Sequence, residues 1–157
     1  PDASLPPKVT LLTTRDTRMT SSGKIDIRQL AADQIELIRQ IDRSEHIDAL
    51  YTVADGQLHS ESVEIDVPPW DAEGHGEHSS ARRITELRPI VAGGATLLGA
   101  FIDGMVAGIA IVDPTFEGKT AWFAFLHVSR SYRRRGVATA LWGAGMKNAP
   151  GAEATKM

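Results

Sequence analysis

The chain has 157 residues, enough for one domain with one core and too few for two. Hydrophobic residues make up 42% and charged residues 24%, which excludes a disordered tail as the main content, and no apolar run approaches the ~20 residues of a membrane span. There is no cysteine, hence no disulfide, thiolate metal site or cysteine nucleophile, and the net charge is −3. These features fit a cytoplasmic location with no secretory leader and no membrane partner.

The elements follow in chain order. Residues 1–23 mix Pro, Thr, Ser and Arg and read as a tail or arm, and the domain spans 24–157. Ile25 to Leu30 alternates apolar and polar residues, the pattern of a half-buried strand. Ala31 to Ile41 sets Ile35, Ile38 and Ile41 at helical spacing, and Asp42 to Glu45 ends that helix or opens a second short one. Leu50 to Ala54 and Gln57 to Val67 flank Asp55-Gly56, a hairpin signature. A loop from Pro68 to Ser80 precedes a helix from about Ser80, with Ile84, Leu87 and Val91 on one face and Gly93-Gly94 as its stop. Thr96–Ile102 and Met105–Val112 form a second hairpin around Asp103-Gly104, and Asp113 to Thr120 reads as a turn. Ala121 to Val128 is nearly all apolar and reads as a central strand covered on both faces. A short loop, Ser129 to Arg135, leads into a helix from Gly136 to Lys147, ended by Asn148, Pro150 and Gly151. The order of elements gives the fold class α/β (α+β), a mixed domain of strands and helices.

Charge is unevenly placed. Residues 44–81 hold nine acids and no Lys or Arg, whereas Arg130, Arg133, Arg134 and Arg135 place four arginines in six positions. One short basic cluster in an acidic chain does not make a nucleic-acid stripe. It does stand just before a helix start. First-turn N–H groups lack intrahelical partners, and the helix dipole puts partial positive charge there. Gly136 and Ala138 are small enough for a ligand to approach the backbone. A buried strand, an arginine cluster and small residues at a helix start together make a phosphate cradle.

It is neither a Walker loop nor the dinucleotide fingerprint, since no Gly-Lys-Ser/Thr follows and only one glycine lies between Arg133 and Thr139. Arg133-Arg134-Arg135-Gly136-Val137-Ala138 resembles the GNAT acetyltransferase signature, Arg/Gln-x-x-Gly-x-Gly/Ala. Asp113 to Trp122, Leu126-His127-Val128 and Tyr132-Arg133 extend the resemblance to the family's third strand, loop and fourth strand. It covers roughly 24–157 and implies a mixed, mostly antiparallel sheet flanked by helices.

The resemblance implies an N-acetyltransferase that moves the acetyl group of acetyl-CoA directly to a primary amine of a small cationic molecule or peptide. Arg133, Arg134, Arg135, Gly136, Val137, Ala138 and Thr139 would hold the diphosphate. Leu126, His127 and Val128 would pair with the pantetheine arm like an added strand. The acidic 44–81 segment would face the acceptor. Glu45 is the candidate base, placed on a helix overhanging the acceptor. Tyr51 and Tyr132 are the only tyrosines, and neither offers the family's general acid. GNAT domains continue beyond the last helix here, so the expectation is a domain truncated after it, with 152–157 beginning the next strand. A sheet cut there invites a homodimer or completion by another chain. The alternative is a catalytically incomplete acyl-CoA-binding or regulatory module. No metal is expected: His75 and His78 at i, i+3 lack a further ligand.

Overall fold

The computed structural model describes residues 23–71, 74, 76–149, 151 and 154–157. The tail reading for 1–22 and the His75 side of the His75/His78 pair lie outside the described residues. Five strands build the main sheet: β1 (Asp26–Gln29), β4 (Thr96–Ile102), β5 (Met105–Glu117), β6 (Thr120–Val128) and β7 (Ala154–Lys156), side by side in that order. All pairs are antiparallel except β6 with β7, which is parallel. Strands β2 (Glu45–Ala54) and β3 (Gln57–Val67) pair only with each other, as a separate two-stranded ribbon.

Both hairpin turns follow from their residues. Asp55 and Gly56 adopt φ of 54° and 74°, and Asp103 and Gly104 adopt 51° and 79°. Positive φ at both central residues is the geometry that matches strand twist across a two-residue turn.

Side-chain alternation splits the core in two. Leu97, Phe101, Ile109, Ile111 and Phe125 point to one face, where a 3₁₀ helix (Ala32–Gln40) and α1 (Ser80–Ala92) cover them. Leu98, Ala100, Ala110, Val112 and Phe123 point to the other, under α2 (Val137–Lys147). Each fully buried aliphatic side chain contributes roughly 1.5–3 kcal/mol.

Three expectations change, and one choice left open is decided. The helix after β1 is 3₁₀, not α: Ile35, Ile38 and Ile41 are spaced by three, and three residues per turn align them on one buried face. Of the two readings of Asp42 to Glu45, the helix does end before them and no second helix opens there; Glu45 opens β2. The turn expected over Asp113 to Thr120 is strand up to Glu117, with the reversal confined to Gly118 and Lys119. The central, doubly covered strand is β5; on β6 only Ala121, Phe123 and Phe125 are buried. The reason is at its outer edge, where β7 pairs with Thr120, Ala121 and Trp122 alone. The edge from Phe123 to Val128 has no strand beside it among the described residues.

Strand β6 also carries a bulge. Ile111 opposes Phe125 and Val112 opposes Phe123, so Ala124 has no partner across β5. That extra residue turns Phe123 toward α2, where its ring stacks on Trp142 at 4.4 Å, and Phe125 toward α1.

Candidate active site

The loop after β6 is tied down by backbone. Ser129 N donates to Ala107 O at 2.9 Å, Arg130 N to Asp42 O at 2.9 Å, and Asp42 N to Ser129 Oγ at 3.0 Å. A 3₁₀ turn (Arg130–Tyr132) follows, then two left-handed residues, Arg134 at φ 62° and Gly136 at φ 80°. Gly136 is the N-cap of α2, and no side chain caps that end. The first intrahelical bond runs from Ala140 N to Gly136 O at 3.0 Å, so the first-turn amides of Val137, Ala138 and Thr139 point outward. Beside them lies a cavity of about 330 Å³, lined by Val128, Tyr132, Arg133, Arg134 and Gly136 to Thr139. Uncapped amides at the positive end of a helix, with a guanidinium at the rim, form a site for an anion.

The arginines separate into different roles. Arg133 turns inward: Nε donates to Val128 O and Nη2 to Arg43 O, both at 3.2 Å, and Nη1 meets the Glu45 carboxylate at 3.1 Å. Its charge is countered by Glu45, and its bonds join the end of β6 to the chain before β2. Arg135 lies over the Tyr132 ring at 5.4 Å and does not line the cavity. Arg134 is exposed at the cavity wall. Glu45 thus sits on a strand beside Arg133, rather than on a helix over the acceptor.

A second cavity, about 280 Å³, runs along β6 from Phe123 to His127, with Arg43, Trp70, Glu77 and Arg83 opposite. Leu126 and Val128 face α2, and His127 faces the other side, near Trp70 and Phe125 (ring centroids 6.1 and 5.6 Å). Burial, then the Arg133 and Arg43 guanidinium groups, hold the His127 imidazole below its ordinary pKa. It is therefore neutral at pH 7 and able to accept a proton. Of the described acids from 44–81, only Glu77 lines this cavity, beside two arginines. The acids of β2 and β3 stand on the exposed ribbon.

Arg43, Trp70 and Arg83 escaped the sequence reading, and Glu77 entered it only as one of the acids of 44–81. They come from two loops and a helix, each with no local motif, and only the tertiary fold gathers them.

The family described as "Acetyltransferase (GNAT) family" matches residues 58–157. Among solved structures, nourseothricin acetyltransferase is similar at 18% identity and TM-score 0.58, covering 80% of this chain and 66% of that one. A streptothricin acetyltransferase from Bacillus anthracis str. Ames, solved with acetyl coenzyme A, is similar at 16% identity and TM-score 0.57, covering 81% and 68%. An acetyltransferase of the GNAT family from Desulfovibrio desulfuricans is similar at 16% identity and TM-score 0.50, covering 81% and 67%. The chain spans about two thirds of the length of these structures. At such identities the likeness is one of fold. No curated protein matches by sequence.

Proposed function

The chain belongs to the GNAT acetyltransferase family, and from that premise we propose that it moves the acetyl group of acetyl-CoA directly to a primary amine of a small molecule or peptide. The observation that carries this reading is the cavity at the start of α2, where Gly136, Val137, Ala138 and Thr139 present backbone to a ligand. The diphosphate would lie on those amides. The pantetheine arm would run along the open edge of β6 and use strand groups that β7 leaves unpaired. The thioester would then reach the bulge at Ala124, beside the second cavity.

The amine arrives as an ammonium and must lose a proton before attack. In this reading the neutral His127 imidazole takes it. The amine nitrogen bonds to the thioester carbonyl carbon, the carbon–sulfur bond breaks, the nitrogen gives up its extra proton to solvent to leave a neutral amide, and the departing thiolate takes a proton from solvent. Glu45, the carboxylate that the sequence offers as a base, is engaged by Arg133 and here holds that arginine in place.

A thiol-release assay with acetyl-CoA and a panel of amines tests the proposal. Amine-dependent release of CoA with formation of an amide supports it. CoA affinity without turnover on any amine overturns acetyl transfer in favour of a binding module.

A further inference from the structure

We propose that the acceptor carries a carboxylate beside its amine, as an amino acid does, and that Arg43 is the residue that reads it. The inference rests on the acetyl-transfer reading and adds the substrate class to it.

The cavity along β6 supplies donors where an acceptor would enter. Arg43 is half-buried and lies over the Trp70 ring at 4.8 Å. One of its nitrogens, Nη1, donates to Nδ1 of His78 at 2.7 Å, which engages one face of the guanidinium. Its neighbours are neutralised differently: Arg83 pairs with Glu86 at 3.2 Å and Arg133 with Glu45 at 3.1 Å. Among the described residues, no carboxylate lies in ion-pair contact with Arg43. A partly desolvated guanidinium without a counter-ion is unfavourable until an anion arrives.

A second observation points the same way. The Nε1 of Trp70, which lines this cavity, is buried and has no hydrogen-bond partner. An indole N–H can only donate, as can a guanidinium; the indole lacks an acceptor atom, and the guanidinium keeps donors beyond the one that His78 engages. A planar guanidinium fork stacked on an aromatic ring is suited to a carboxylate, which it can bind in two places. Glu77, across the same cavity, offers the complementary charge to an ammonium. This site is separate from the diphosphate cavity, which opens on the Val128 and Gly136 side. An acceptor with positive charge alone would meet Arg43 unfavourably.

Binding is measured apart from turnover. The protein saturated with CoA is titrated with lysine or phenylalanine, and with their decarboxylated counterparts cadaverine or phenethylamine, following tryptophan fluorescence. The proposal expects each amino acid to bind roughly 10- to 100-fold more tightly than its counterpart. Arg43→Gln, which keeps the backbone carbonyl held by Arg133, should erase that preference and leave the Kd for CoA unchanged. If the decarboxylated amines bind as tightly as the amino acids while CoA binds normally, the carboxylate inference fails and acetyl transfer stands. If CoA itself does not bind, the acetyl-transfer reading fails and takes the inference with it. The wild-type comparison decides the matter even if the variant does not fold.

Discussion

Gly136 holds φ at 80°, where a side chain costs roughly 1–2 kcal/mol, yet a Cβ there would meet nothing within 4 Å. The penalty for Gly136→Val is therefore one of backbone conformation at the amide cradle, not of packing. We expect CoA affinity to fall at least tenfold by calorimetry, while the melting temperature drops by about 2–8 °C; an unchanged Kd would place the diphosphate elsewhere. His127 gives a second outcome. Because its pKa is lowered from 6.5, the imidazole stays a base to below that pH, so kcat/KM should hold through pH 6.5 and decline only under it. His127→Gln should reduce kcat by about 10²- to 10⁴-fold and remove that acid limb from the pH–rate profile. The helix start at Gly136 was legible because the residues that shape it are contiguous in sequence. Arg133 was not. Its partners Glu45 and Arg43 lie some ninety positions away, so a basic cluster that looks like solvated charge conceals an internal tie.

Helix α2 approaches the sheet closely at one point. A Cβ on Gly145 would stand 2.6 Å from the Phe123 ring and 2.9 Å from Val112. The Phe123 ring is itself stacked on Trp142, with planes 9° apart, and has little room to retreat. Gly145→Ala should destabilise the protein by about 1–3 kcal/mol in urea unfolding, despite the better helix propensity of alanine; a neutral result would mean that α2 can lift off β5. The elements themselves were largely readable. Alternation marked β1, Asp-Gly pairs marked both tight hairpins, and the apolar stripe marked α2. What misled was local ambiguity: three isoleucines at intervals of three suit either helix type, and only burial of all three selects the tighter one. The acidic, polar composition of 113–120 hid a strand continuation, because Asp113 and Glu117 pair with Trp122 and Thr120 of β6 across an irregular stretch and not by their own propensity.

At the scale of the whole molecule, among the described residues, the sheet is closed on one side of β6 and open on the other from Phe123 to Val128. Acetyl-CoA should protect amides of this stretch and of 137–139 from hydrogen exchange, and leave β2 and β3 unaffected; protection spread evenly over the chain, or none, would contradict a strand-like seat for the pantetheine. The layers and the uncapped start of α2 were readable because both rest on contiguous patterns. The sequence could not show the second cavity, whose walls meet only when the loop carrying Trp70, the start of α1 and the chain before β2 converge on β6. The side chain of Arg133 bridges the two halves of this arrangement. It grips the carbonyl of Arg43 from the loop on which the coenzyme would rest, so whatever steadies that loop also steadies the anchor for the acceptor. Under the proposed reading, a coenzyme bound on that loop would hold the Arg43 carbonyl more firmly, and an acceptor would bind more tightly after it than before it.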